Sequence, residues 1–377
     1  MQTDPSSSVD PNGLREYSVV FTDRALNHMS QRFQHVMRDL SARLKTVYRA
    51  YAVALVPGGG TAGMEAVARQ FAQGRDVLVI RNGWFSYRWS QILEVGGMAA
   101  REAVLKARPA HAAHQAPFAP PPIDEVVAAI AEHTPDVVFA PHVETSCGML
   151  LPDDYLQRVA AAVHAHGGLF VLDCIASGAL WVDMQQIGVD VLISAPQKTW
   201  SSTPCAAMVM LSAEAESRLG STQSSSFTLD LARWRSIMAA YENGGFAYHA
   251  TLPTDALAQL RDAMVETMGM GLEQARDAQL ELGRKVRAVL AGRGFPSVAA
   301  EGFQAPGVVV SYTDDDAIHK GSAFVAQGLQ IAAGTPLACD EPADFKTFRI
   351  GLFGLDKLRD VDGTVGRLAE ALAHIPG

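Results

Sequence analysis

Cysteine is scarce in this 377-residue chain: Cys147, Cys174, Cys205 and Cys339 stand far apart, with no C-x-x-C pair. That spacing argues against a disulfide framework and against a zinc site, and the four read as reduced thiols. Runs of like charge are also missing. The 31 basic and 40 acidic residues are scattered and leave a formal charge of -9, so there is no electrostatic footprint for nucleic acid and a small-molecule substrate is expected. No apolar stretch reaches membrane-spanning length. The opening residues MQTDPSSSVDPNG lack the basic and then apolar segments of a signal peptide, so the expected location is the cytoplasm. What the chain does have is 48% hydrophobic and 19% charged residues, enough for two domains around substantial cores.

After a polar tail to about Gly13, apolar residues recur at three- and four-residue steps through ALNHMSQRFQHVMRDLSARLKTVY, predicting a helix. Short β-rich runs then alternate with helical patterns: AVALV, MEAVARQFAQ, DVLVI, WSQILEVG, DEVVAAIAEH, VVFAP, YLQRVAAAVHAH, LFVLD and VLIS. Such alternation implies an α/β fold, a mostly parallel sheet with helices on both faces. The Ala-, Pro- and His-rich stretch 108–122 reads as a surface loop, and its His111 and His114 have no Cys or carboxylate partner in sequence to suggest a metal. From about Asp255 a long helical region runs through QARDAQLELGRKVRAVLAGRG. It is followed by strand-like GVVVSY, a helical AIHKGSAFVAQG, FRIGLFG and a last helix. The expected organisation is a flexible tail at 1–13, a large cofactor-binding domain at 14–255 and a smaller α+β C-terminal domain at 256–377.

Two clusters carry chemistry. The first, PGGGTAGMEAVARQF from Pro57, is a glycine-rich turn between strand and helix whose free N–H groups suit a phosphate. Its Gly58-x-Gly60-x-x-Gly63 spacing matches the dinucleotide fingerprint, yet the next strand is followed by Arg81 and Asn82, not by the acidic residue that fingerprint expects. Arg81 facing a 2′-phosphate keeps a nicotinamide oxidoreductase as a minority alternative.

The second cluster is GGLFVLDCIASGALWVDMQQIGVDVLISAPQKTW. Asp173 ends one apolar strand, and Lys198 lies just past the next, 25 residues on, which is room for one crossover. Ligands of open α/β sheets sit at the carboxyl ends of neighbouring strands, so an acid and an amine would meet at one ligand. Pyridoxal 5′-phosphate needs that pair. The amine holds the cofactor as a Schiff base and shuttles the substrate's proton, and the carboxylate keeps the ring nitrogen protonated. A solvated loop lysine and a capping aspartate are the ordinary reading of either residue alone.

With these clusters in order, the chain resembles the class V aminotransferases of fold type I, and within them the alanine–glyoxylate and serine–glyoxylate group. The motifs are GGGTAGMEA, RNGWFSYRW, HVETSCGMLLP, VLDCIAS, SAPQKTW, YHATLPTDALAQLRDA and FRIGLFG, from roughly Arg32 onward. The resemblance implies a transaminase working by a ping-pong mechanism, with Gly59, Gly60, Thr61 and Gln197 at the cofactor phosphate and Phe85 stacked on its ring. Thr145 would lie near the phenolic oxygen, and Arg349 would grip the substrate carboxylate. Tyr248 and Thr251 would reach the phosphate of a neighbouring subunit, implying a homodimer with shared sites. Alanine or serine as donor and glyoxylate or pyruvate as acceptor are likewise implied by resemblance.

The segment YSVVFTDRALNHMS departs from the Pro-Gly-rich opening of that family, and Cys147 stands where the family has threonine. A lyase or cysteine desulfurase on the same fold is the main alternative. Desulfurases resemble one another in having His before the lysine, whereas Gln197 stands there in this chain.

Overall fold

The computed structural model describes residues 9–375. Most of the expected tail, residues 1–8, lies outside the described residues; residues 10–13 close a turn in which Gly13 N–H donates to Asp10 C=O.

The first long helix, α1 (Gln31–Tyr48), starts six residues later than the apolar periodicity suggests, because Ser30 is extended and its Oγ accepts from Phe33 N–H. Such a cap satisfies one of the orphan donors of the first turn and fixes where helix can begin. Phe33, Val36, Met37, Leu40, Leu44 and Tyr48 form its buried stripe. Then follow β1 (Ala52–Pro57), α2 (Gly60–Phe71), β2 (Asp76–Arg81), α3 (Trp84–Gly96), β3 (Arg101–Lys106), α4 (Ile123–His133), β4 (Val137–Pro141), α5 (Asp153–His164), β5 (Leu169–Asp173), β6 (Val191–Ser194) and β7 (Ala206–Leu211).

The seven strands make one sheet in the order β1-β7-β6-β5-β4-β2-β3. From β6 through β3 neighbours are parallel, while β7 runs antiparallel to both β1 and β6. Strands β4 to β7 are buried at every residue, as strands covered by helices on both faces must be. Two strands of this sheet escaped the sequence reading. The REAVLK run of β3 is charged because it is the half-exposed sheet edge. The AAMVML run of β7 has a single β-branched residue, Val209, among alanines, methionines and a leucine, and burial between β1 and β6 makes it a strand.

After α6 (Leu231–Glu242), the long helical region divides into α7 (Thr254–Met270) and α8 (Leu272–Gly292), broken at Gly271 with φ +97°. A second sheet combines β8 (Val308–Tyr312), β9 (Ala332–Ala333) and β10 (Thr347–Gly351) in the order β8-β10-β9, and α9 (Val361–Ala373) closes the fold. The helix expected at AIHKGSAFVAQG is two single turns instead, Asp316–His319 and Ser322–Val325. Between them Gly321 takes φ +82°. Leu282, Val286 and Leu290 of α8 share a core with Val309, Phe348 and Leu372, separate from the core of the large sheet. A third cluster ties the loop after β4 (Val143, Cys147, Met149) to Val308, Val310, Leu337 and Cys339, so the two sheets are joined beside the ends of β4 and β5. His111 and His114 are exposed in the 108–122 loop, where His114 faces Asp314 and Asp344 at 3.8 and 3.5 Å. All four cysteines are free and buried. Among the described residues no helix is long and apolar enough to cross a membrane.

Candidate active site

Asp173 is the last residue of β5, paired in parallel register with Ile193 of β6. It is 7% exposed. One carboxylate oxygen accepts from Ile175 N–H at 2.9 Å, and the other has no donor among the described residues. Burial pushes its pKa up to about 6, opposed by the Ile175 hydrogen bond and by the charges of Lys198 and Arg88. Lys198 follows β6 in the single turn Pro196–Thr199. Pro196 suits the first position of that turn because its missing N–H would have no acceptor there. Desolvation lowers the Lys198 pKa, Asp173 pulls it back up, and Arg349 and Arg88 lower it further. The acid and the amine that the sequence set 25 residues apart are thus electrostatic neighbours at adjacent strand ends.

Phe85 and Phe353 flank the amine: Nζ of Lys198 lies 5.8 Å from the centroid of the first ring and 6.0 Å from that of the second. Phe85 opens α3, and Glu144 fixes that helix end. Fully buried, Glu144 accepts from the N–H groups of Phe85 (3.2 Å), Ser86 (2.8 Å) and Ser146 (3.0 Å) and from the hydroxyls of Ser86 and Ser146, each at 2.7 Å. An anion is favoured at a helix N-terminus, and five donors replace the water this carboxylate has lost. Gly83 must stay small, since a Cβ there would meet the Glu144 side chain at 2.8 Å. Arg349, from β10, brings its Cζ to 5.6 Å from the Phe85 centroid, and its Nε donates to Ala333 C=O at 2.8 Å, leaving the outer guanidinium nitrogens for another partner.

The glycine-rich turn joins β1 to α2. Gly58 takes φ +119°, and Gly59 caps α2 without a side-chain bond, so the first-turn N–H groups at Gly60 and Thr61 have no acceptor within the helix. A Cβ on Gly60 would strike Ile175 Cδ1 at 2.5 Å, which sets this turn against the segment just after Asp173. Thr61 is exposed, and its hydroxyl accepts from Arg88 at 2.9 Å. These features fit a cofactor with phosphate at one end and a ring nitrogen at the other: open N–H groups, an unpaired carboxylate oxygen and an amine between. Arg81, by contrast, is buried, donates to Ser90 Oγ and Ala338 C=O, and stacks on Tyr87. It is engaged inside the protein and not aimed at a 2′-phosphate.

Of the remaining candidates, Gln197 is exposed beside Lys198, and Thr145 is buried next to Glu144. Tyr248 and Thr251 lie together on the exposed loop between α6 and α7, their hydroxyls 3.2 Å apart. Among the described residues no hydrogen bond or ring contact joins them to Lys198, Asp173 or Arg349 of the same chain. Sequence reasoning missed Glu144, Arg88 and Phe353. Two of them carried a signal: Arg88 follows Phe85 by one helical turn, and Phe353 stands four residues beyond Arg349. Glu144 had none, because a glutamate in a polar stretch ordinarily faces water.

Residues 14–355 match the family described as aminotransferase class-V. Rat (Rattus norvegicus) alanine–glyoxylate aminotransferase is 26% identical over 368 residues, covering 94% of this chain and 83% of that one. The 2-aminoethylphosphonate–pyruvate transaminase of Vibrio parahaemolyticus is 25% identical over 346 residues, covering 89% and 88%. In architecture the chain is similar to an alanine–glyoxylate aminotransferase from Nostoc sp., with a TM-score of 0.77 at 21% identity over 92% of this chain and 89% of that one. The chain therefore belongs to the class V aminotransferases, pyridoxal-phosphate enzymes of fold type I that move an amino group between an amino acid and a keto acid.

Proposed function

We propose that this protein transfers the amino group of a small amino acid, of alanine or serine type, to glyoxylate or pyruvate in two half-reactions, with Lys198 as the lysine that carries the cofactor. One observation carries the reading: the Lys198 amine and the Arg349 guanidinium meet at the Phe85 ring from separate elements, and the Asp173 carboxylate at the neighbouring strand end acts on that same amine. When bound, pyridoxal phosphate supplies an electron-poor ring that accepts the electron pair left on the substrate's α-carbon. Asp173 holds a proton on the ring nitrogen, since an adjacent anion favours the cationic form. Lys198, its amine made less basic by burial, takes and returns the α-proton once displaced by the substrate amine. Phe85 stacks on one face of the ring. Gly59, Gly60, Thr61 and Gln197 receive the phosphate, Thr145 lies toward the phenolic oxygen, and Arg349 holds the α-carboxylate with its free fork.

The proposed enzyme is a cytoplasmic homodimer whose Tyr248 and Thr251 complete the neighbour's phosphate site. The exposure of Tyr248, with its hydroxyl beside that of Thr251 and, among the described residues, no bond to Lys198, Asp173 or Arg349 of its own chain, supports that assignment. Division into a large and a small domain is supported by the two separate cores, the first of which takes in Leu257, Leu260 and Met264 and so carries the large domain past the expected boundary at 255 to the end of α7. Small substrates are favoured by the walls that Phe85 and Phe353 set about the amine.

The test is a panel of amino acids against glyoxylate and pyruvate. The yellow holoenzyme is expected to bleach on donor addition, regain colour on keto-acid addition and, after borohydride, carry its label on Lys198. Release of ammonia or sulfide without a keto acid would replace transamination with lyase chemistry. Sedimentation at twice the chain mass, and activity restored on mixing a Lys198→Ala protein with a Tyr248→Phe protein, would support the shared site.

A further inference from the structure

Among the residues that receive the phosphate in the reading above, none is a cation. Gly59, Gly60, Thr61, Gln197, Tyr248 and Thr251 are all neutral donors, whereas a phosphate monoester carries close to two negative charges at neutral pH. Half-buried Arg88 lies beside this cluster without an assigned task. Its Nη1 donates to Thr61 Oγ1 at 2.9 Å, and its guanidinium lies 5.2 Å from the Phe85 centroid. Among the described residues no carboxylate lies within ion-pair distance of it, unlike Arg69, Arg101 and Arg235, each of which meets an acid within 3 Å. Its charge nonetheless reaches both Lys198 and Asp173.

We propose that Arg88 is the cation of the phosphate site, held in place by Thr61 and Phe85 so that its remaining N–H groups face the cofactor's phosphate. Hydrogen-bond direction supports the arrangement. A guanidinium can only donate, so Thr61 accepts from Arg88 and keeps its own hydroxyl proton for the phosphate. The side chain is also pre-oriented: one end is bonded and the plane lies near an aromatic ring, so little freedom is lost when the anion arrives. Arg88 is separated from Phe85 by one turn of α3, so Glu144, by fixing the start of that helix, sets ring and cation together.

This inference rests on Gly59, Gly60 and Thr61 cupping the phosphate, and its test compares two cofactor forms. Apoenzyme would be titrated with pyridoxal phosphate and with pyridoxal, which lacks the phosphate, for wild type, Arg88→Gln and Arg88→Lys, with apoenzyme melting as the control for folding. Arg88→Gln is expected to weaken pyridoxal phosphate at least tenfold, about 1.4 kcal/mol, while pyridoxal changes less than twofold. Arg88→Lys, which keeps the charge and loses the fork, should fall between and also serves if the Gln variant does not fold. Equal losses for both forms would overturn the proposal in favour of packing against Phe85. Unchanged cofactor affinity with a raised KM for keto acid would overturn it in favour of a substrate contact. Wild-type protein that takes no borohydride label at Lys198 would overturn the site reading itself and this inference with it.

Discussion

Asp173→Asn replaces a charge by an amide of nearly the same shape. Asn can still accept from Ile175 N–H through one oxygen, as Asp173 does at 2.9 Å, so the turn after β5 should be retained. What disappears is the anion. Two opposite charges about 4 Å apart in a medium of effective dielectric about 20 attract by about 4 kcal/mol. Since one pH unit corresponds to about 1.4 kcal/mol, loss of that attraction lowers the ring nitrogen's proton affinity by about three units. Most of the bound cofactor would then lose its ring proton at neutral pH, and turnover is expected to fall about a thousandfold.

The same substitution has the opposite effect on the empty protein. Asp173 has its pKa pushed from 3.8 up to about 6 by burial, so the folded state holds this proton more tightly than the unfolded chain. Between about pH 4 and 6 stability therefore falls as pH rises, and above that window the buried anion costs the fold up to about 3 kcal/mol. The Asn variant lacks this cost. Its apoenzyme should be more stable than wild type at pH 7, by up to about 3 kcal/mol, with the advantage gone below pH 4. Urea unfolding of both apoenzymes across pH, together with kcat of the reconstituted proteins, checks both halves. Wild-type kcat, or an apoenzyme no more stable than wild type at pH 7, would refute the reasoning.

Lys198→Ala should leave a folded protein without detectable turnover, as judged by circular dichroism and steady-state rates; near-normal activity would remove the lysine from the mechanism. Arg349→Ala removes two charge-assisted hydrogen bonds to a carboxylate and is expected to raise KM for amino and keto acid alike by about a hundredfold, near 3 kcal/mol, with a smaller change in kcat. Glu144→Ala leaves buried donors at Ser86 and Ser146 without an acceptor and should cost about 3 kcal/mol in urea unfolding. A loss within 0.5 kcal/mol, the range of ordinary surface substitutions, would show that the helix end does not depend on it. Gly63→Ala drives a methyl group into Ala207 of β7 and should destabilise by about 1–3 kcal/mol, read by thermal melting.

The large sheet and the chemistry at its strand ends were legible in the sequence because both follow from local pattern. Apolar runs such as LFVLD and VLIS announce fully buried strands, and Asp173 and Lys198 stand where such strands end, so chain order alone sets the pair at one sheet edge. Glycines at the β1–α2 turn likewise declare a backbone that must approach something closely. What only the tertiary structure decided is everything that depends on burial. Glu144 becomes a buried helix anchor through donors some 60 residues away in sequence, and AAMVML becomes a strand because β1 and β6 close around it. Arg81 and Arg88, two arginines seven positions apart, look alike in sequence. One is enclosed by Ser90, Ala338 and Tyr87, and the other stands beside Thr61 with no counter-ion among the described residues. Side-chain identity sets which partners a residue can take, and folding sets which partners come within reach.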